Sequence, residues 1–543
     1  MSMRYKGGII SATPPVTTTS KGIWTLTQQM QAAGGSVWPT LSDAPTIGTA
    51  TAGNVSASVA FTVPVNQGYA PPVTYTATSS PGSITGTGSS TPVTVSGLTN
   101  GTAYTFTVTA TNTAGTSAAS AASNSVTPSD PVWIAKLATS GAAEEIAVDS
   151  SGNVYVVGTG GYAAITLAKY DSSGVIQWQR NLSETKAYGF SVALDSSNNI
   201  YVCGAGGASF ATVDMVIVKY DNSGTVQWQR KLAGAGTDAD EAYSIVLDSS
   251  DNVYITGLLY DTFGNRDIFI AKYNSSGTIQ WQRKLAGGFD VGHSIAVDSS
   301  SNVYIGGQSN NAGSAAVQIA KYNSSGTIQF QKRITLGPYS NMIGYGIAVD
   351  SSQNIYIAGE ITLSTADIYV AKLDSTASTI TWDKLLYSSS GSDTGRDVAV
   401  DSSGNVYITG NSFQGTGPQS ACQVVKYNSS GTIQWQRFIE RTSGGTNIGW
   451  GIKVDANNNY YVSGTIGSGD NFLIGKLPVD GTKTGTYTLG GQTIQYTASS
   501  MSNSTPGRTT ATSTLTDSAA SMTGSTPSLT SSTPTYTASV VTL

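Results

Sequence analysis

The stretch Ile146–Gly158, I-A-V-D-S-S-G-N-V-Y-V-V-G, followed by Leu167–Leu182, L-A-K-Y-D-S-S-G-V-I-Q-W-Q-R-N-L, decides the fold, because the chain repeats it. Its leading acid recurs at Asp149, Asp195, Asp248, Asp298, Asp350, Asp401 and Asp455, at steps of 46, 53, 50, 52, 51 and 54 residues. Each unit holds four short β-rich runs split by Gly, Ser, Asn and Asp turns, the pattern of a four-stranded antiparallel meander. Periods of about 40–50 residues with four strands per repeat read as a propeller, and seven acids predict seven blades. The fourth-strand aromatic stands at Trp178, Trp228, Trp281, Phe330, Trp382 and Trp435. Trp133 fits the same slot one unit earlier. The spacing therefore predicts closure by pairing the strand around Trp133 with the last unit, residues 452–477. G-T-Y-T-L near Tyr487 is the alternative fourth strand.

Composition agrees with an all-β chain. Of 543 residues only 11% are charged, while Gly (62) and Tyr (28) are abundant, a mixture favouring strands and turns over helices. The net charge of −5 argues against a broad basic surface for nucleic acid. One His excludes two-histidine metal motifs, and two Cys 219 residues apart make no disulfide framework. No phosphate-cradling glycine loop, dinucleotide fingerprint or nucleophile elbow is present, so no cofactor, metal or enzymatic activity is expected. No apolar run reaches transmembrane length, and the first residues lack a signal-peptide core.

Recurrent charges read as structural. Lys169, Lys219, Lys272, Lys321, Lys372, Lys426 and Lys476 hold one position in strand three. Arg180, Arg230, Arg283, Lys332, Lys384 and Arg437 hold one in strand four. Once per blade, they are expected to pair with the leading acids. The D-S-S-G-N turn reads as an Asx turn rather than a calcium loop. The hairpin Y-D-S-S-G-V-I-Q-W resembles the tryptophan-docking motif of quinoprotein-like propellers. The place five residues before the leading acid behaves differently. It is occupied by Glu144, Phe190, Tyr243, His293, Tyr345, Arg396 and Trp450, five of them ring-bearing. First strands line the channel, so this variable rim at its mouth is either a plug or a surface for a glycan or peptide ligand.

Residues 43–130 alternate strictly and suit one antiparallel sandwich. The run V-S-G-L-T-N-G-T-A-Y-T-F-T-V-T-A-T-N resembles a fibronectin type III domain, with Leu98 and Tyr104 at tyrosine-corner spacing and Phe61 near the missing B-strand Trp. The repeats of residues 131–482 resemble bacterial beta-propeller repeats. Residues 1–42, with a short helix expected over 25–33, carry Trp24, Leu26 and Trp38 in G-I-W-T-L-T-Q-Q-M-Q-A-A-G-G-S-V-W-P. That segment resembles docking segments of structural proteins in tailed phages, especially cyanophages, with Thr25 where those have Ser. Residues 483–543 are Ser/Thr-rich and place Leu515, Met522, Leu529, Tyr536 and Leu543 seven apart. An odd period fits no two-faced strand, so an extended segment anchored on neighbouring subunits is expected, against a disordered or glycosylated stalk.

The expected whole is an all-β chain: a seven-bladed β-propeller plus a fibronectin III-like β-sandwich, with extended terminal segments. The phage resemblance implies a non-enzymatic virion structural protein (tail, neck or capsid appendage, fibre or decoration) assembled in a host cytoplasm. It would be homo-oligomeric, partnered by other virion proteins and touching host-surface glycan, without nucleic acid or membrane insertion. A bacterial cell-surface adhesin is the alternative, and a propeller glycan hydrolase using Glu144 and Glu145 is third.

Overall fold

Short runs of alternating residues punctuated by Gly and Asx turns give strands and no helix among the described residues of the computed structural model. It describes residues 40–542 except for short stretches, chiefly 138–140, 235–237, 261–263, 311–314, 336–340, 414–419, 468–470 and most positions between the C-terminal strands. Trp24, Leu26, Trp38 and the expected helix lie outside the described residues, as do Leu515, Met522, Leu529, Tyr536 and Leu543. The chain divides into two compact units, Met1–Pro131 and Val132–Leu543.

The first unit contains two antiparallel sheets. One holds Thr46–Gly53, Ser56–Thr62 and Val93–Ser96; the other holds Thr85–Gly88, Thr74–Ser80, Thr105–Asn112 and Gly115–Thr116. Their alternating inward residues, among them Val59, Val95, Phe106 and Val108, form one core. Phe61 packs on Tyr75 with ring centroids 4.7 Å apart, filling the place of the missing tryptophan. The Thr99 N–H donates to the Tyr104 hydroxyl at 3.1 Å, closing the tyrosine corner beside buried Leu98. Beyond Thr116 the sheet edge is finished by serines three apart. Ser117, Ser120 and Ser123 hydroxyls accept the N–H groups of Ala110, Val108 and Phe106 at 2.9–3.0 Å. Strand donors are thus satisfied without a regular edge strand.

In the second unit the four runs of each repeat pair as a meander, for example Ala143–Val148, Val154–Gly160, Ala164–Tyr170 and Ile176–Ser183. Seven such units follow in order. The first strand of each lies against the next, and the seventh, Asn447–Val454, returns to the first, Ala143–Val148, so the ring is closed. The seventh unit takes its fourth strand from the other end of the ring: Trp133–Leu137 pairs with Asn471–Leu477, with Trp133 opposite Lys476. The alternative strand, Gly485–Leu489, instead forms a hairpin with Gln492–Ala498 on the outside of the sixth unit.

Neighbouring units are joined by one recurring contact. The indole N–H groups of Trp133, Trp228, Trp281 and Trp382 donate to Ser172, Ser275, Ser324 and Ser429 carbonyls in the next unit's three–four hairpin, at 3.1–3.2 Å. The hairpin residue beneath each ring is Gly174, Gly277, Gly326 or Gly431, with φ between +75° and +86°. A Cβ there would stand 2.5–2.9 Å from the indole. In the last unit the turn Pro478–Gly481 replaces the hairpin, and Gly481 lies under Trp435 in the same way.

The leading acids are held as Asx turns. Asp149 Oδ1 accepts the Ser151 and Asn153 N–H groups at 2.9 Å, and this pattern recurs round the ring. In all seven units Oδ2 accepts the side-chain amide of the Asn four residues on and the hydroxyl of the Tyr six residues on, the latter at 2.9–3.3 Å. Burial opposes the carboxylate at Asp195, Asp248, Asp298 and Asp350, yet the bonds from Asn and backbone outweigh it and hold these pKa values below the usual range.

This corrects the partners expected for the recurrent bases. Of the lysines, Lys219 and Lys321 form ion pairs with Asp195 and Asp298; all seven lie over the ring of that strand-two tyrosine, 4.7–5.7 Å from its centroid. Arg180, Arg230, Arg283 and Arg437 do not turn to the acids. Each donates Nε–H to the carbonyl of the next hairpin glycine, at 2.6–3.0 Å, while stacking on its own unit's tryptophan. Tyrosine already occupies the acid, so the long cations find aromatic faces and carbonyls instead.

Gly326→Val is expected to lower stability by about 2–3 kcal/mol, since it adds a side chain both at positive φ and against the Trp281 ring. Guanidinium unfolding followed by tryptophan fluorescence measures it.

Candidate functional site: the central channel

Every first strand carries a β-bulge, and in each case the bulged residue is the variable rim residue. The register skips Phe190, Tyr243, His293, Tyr345, Arg396 and Trp450, and it slips at Glu144 between Glu145 and Ala143. The rim therefore sits within the first strands. A bulge re-aims one side chain without ending the strand, and seven of them direct seven side chains into the channel.

There they meet. Phe190 packs on Tyr243 (5.2 Å between centroids), Tyr243 on His293 (5.7 Å) and His293 on Tyr345 (5.0 Å). The Arg396 guanidinium lies between Tyr345 and Trp450, 4.6 and 4.7 Å from their centroids. Trp450 donates its indole N–H to Thr465 Oγ1 at 3.1 Å. Tyr188 extends the stack from Phe190 and carries the exposed Phe210, over which Lys186 lies. All seven rim residues are half-buried. The rings thus pack on one another, one pair stacked and two tilted, the geometry of a collar filling the channel.

The next residue along each first strand forms a second layer. Ser191, Ser244 and Ser294 each accept the N–H of the following unit's Ile245, Ile295 or Ile347 at 3.3 Å. The equivalent positions elsewhere are Glu145, Gly346, Asp397 and Gly451. Lys453 Nζ stands 3.2 Å from Glu145 Oε1 and 3.3 Å from Asp397 Oδ2. Asp397 also accepts the Ile452 and Val398 N–H groups. The glycines make room: a Cβ at Gly451 would lie 2.5 Å from Glu145 Oε1, and one at Gly346 2.8 Å from the Asp397 Cα. A cavity of about 300 Å³ opens on the leading-acid side of the collar, lined by Glu145, the three serines, Asp397 and Lys453.

Burial sets the protonation of this interior. It pushes the Glu144 carboxyl up to about 8 against the pull of Arg396, and Glu145 up to about 7 against Lys453. It pushes the His293 imidazole down to about 4, with the Arg396 charge acting the same way. Adjacent strand residues normally face opposite ways, but the bulge breaks that alternation, so Glu144 joins the collar while Glu145 joins the ion triad and feels Asp397. Cys203 and Cys422 are free buried thiols. Among the described residues no group of three or more His, Cys, Asp or Glu is placed to hold a metal ion. The bulges, the serine layer and the triad had no signal in a single repeat; the clue was the unlike residues at one repeat position.

Residues 43–126 match the fibronectin type III domain, and residues 282–313, 329–362 and 382–412 match the beta-propeller repeat. The chain carries both modules. No curated protein matches it. Among solved structures, titin kinase with its flanking domains is 16% identical at a TM-score of 0.15, over 26% of this chain and 30% of that one. Polysaccharide lyase Uly1 is 10% identical over 62% of this chain and 90% of that chain, with a TM-score of 0.39. The exotype rhamnogalacturonan lyase YesX is 12% identical over 80% and 90%, with a TM-score of 0.30.

Two outcomes are expected. Lys453→Met leaves Glu145 and Asp397 unpaired and costs about 3–5 kcal/mol at pH 8, and the triple variant with Glu145→Gln and Asp397→Asn recovers most of it. Thermal melts at pH 8 check this. The pH dependence has two arms. A raised carboxyl pKa costs stability as pH climbs from the ordinary carboxylate value through 7–8, and a lowered imidazole pKa costs stability as pH falls from about 6.5 toward 4. Glu144→Gln should therefore raise Tm by ~1–3 °C at pH 8.5 and leave it unchanged at pH 4.5. His293→Phe should flatten the acid arm alone.

Proposed function

We propose that this chain is a non-enzymatic structural protein of a tailed-phage virion, holding its propeller on the particle as a rigid body. One observation carries the non-enzymatic part. Collar rings pack on one another, and the triad's acids are engaged by its lysine, so the interior is arranged to hold rather than to react. Virion membership is supported by the tryptophan-flanked N-terminal segment, with Trp24, Leu26 and Trp38 as its anchors toward other virion proteins. The fibronectin module is then a spacer, and assembly takes place in the host cytoplasm. Copies associate with one another on the particle.

The collar is the face presented along the channel axis, and the combined variant Tyr243→Ala, Tyr345→Ala and Trp450→Ala separates plug from ligand surface. Binding to host-surface glycans that disappears in this variant, with the fold retained by circular dichroism, supports host contact. Unchanged binding with a lower Tm makes the collar a plug.

Immunogold electron microscopy on purified phage particles, with antibodies raised against residues 132–477, tests the central reading. Gold at one fixed site on head, neck or tail is expected. Bare particles beside labelled bacterial surfaces would replace the virion reading with the cell-surface adhesin.

A further inference from the structure

The C-terminal segment returns round the outside of the ring. After the hairpin on the sixth unit, strands Ser502–Ser504, Thr509–Thr512, Thr516–Ser518, Thr523–Ser525 and Thr530–Ser532 pair with the outer strands of units five, four, three, two and one. The last strand, Ala538–Thr542, pairs with Trp133–Leu137 in the seventh unit. The segment was expected on neighbouring subunits. At these strands it lies on its own chain, in the reverse order of the units.

The seven-residue period now has a physical meaning. Ser502, Thr509, Thr516, Thr523 and Thr530 start their strands seven residues apart, so seven residues carry the chain from one unit to the next. The register is the same each time. The second residue of each strand, Asn503, Thr510, Asp517, Gly524 or Ser531, stands opposite the buried Leu386, Ile334, Leu285, Leu232 or Leu182. Period seven is the step of the ring, not the pitch of a strand.

We infer that residues 485–542 are a belt that fastens the ring: the outer edge of each unit is a binding site for one strand of the belt, and the final strand locks the N-terminal closing strand in place. A three-residue strand holds poorly alone. Joined in series, each is delivered at high effective concentration by its neighbours. Longer pairings mark both ends, five residues on Arg437–Arg441 and five on Trp133–Leu137, and fix the register of the short ones between them. The closing strand is thereby enclosed between Asn471–Leu477 and Ala538–Thr542. The belt also covers backbone edges that would otherwise template pairing with other chains. This inference stands independently of the virion reading.

Hydrogen exchange by mass spectrometry on the full-length protein tests it. Ser539→Pro with Val540→Pro removes two adjacent donors, one of which must point into the ladder because successive N–H groups alternate sides. Amides of 133–137 are expected to exchange about tenfold faster or more, while those of Val253–Tyr260 stay at the parent rate. Exchange within about twofold of the parent at 133–137 overturns the lock. If that variant fails to fold, Thr523→Pro with Gly524→Pro, which again removes two adjacent donors, is expected to speed exchange in residues 231–233 and nowhere else in the ring. No change there overturns the belt.

Discussion

An indole lying on a hairpin that has no side chain to keep it off is the contact on which the ring depends. It fixes three things together: the glycine at positive φ, the carbonyl that receives the indole N–H, and the arginine that stacks behind the indole and bonds the same hairpin. Five of the seven units are fastened to the next in this way; in the first unit Arg180 lies on the next hairpin's Gly224, and the fourth carries Phe330 opposite a hairpin with Ala377. The two junctions on either side of the seventh unit use the same chemistry, Trp435 of the sixth unit on Gly481 and Trp133 of the seventh on Gly174 of the first. Closure is a repetition of the internal joint rather than a special one.

With the periphery so determined, the axis is where the sequence is free to vary. Bulges at one position send seven unlike side chains inward, and glycines at 346 and 451 admit the Asp397 backbone and the Glu145 carboxylate of the neighbouring units. Burial disfavours the charged form of the carboxyls and of the histidine alike, so His293 is neutral, while Lys453 between Glu145 and Asp397 opposes that effect in the triad. That arrangement is costly unless every member is present, which makes the interior sensitive to single substitutions and tolerant of concerted ones.

Much of this architecture was legible beforehand. The leading acids gave the unit count, and Trp133 gave the closure, because each reports a contact made once per repeat. Lys219 and Lys321 pair with their leading acids as expected, but the repeated arginines go to carbonyls, since opposite charge is a weaker guide than geometry once Asn and Tyr have saturated the acid. Bulges were invisible because first strands of six to nine residues are too short for a break in alternation to stand out. The tail's period was visible but was measured against the strand's period of two, when the relevant ruler was the distance between neighbouring units.

The enclosed strand has a mechanical consequence. Trp133–Leu137 is the first strand of the ring and the point at which any load from preceding residues enters it. Flanked on both sides by antiparallel partners, it resists a pull along its axis in shear, with two ladders sharing the force and yielding together. Were it an edge, one ladder alone would bear that force. The last residues of the described chain thus act as a strain relief for the first residues of the ring.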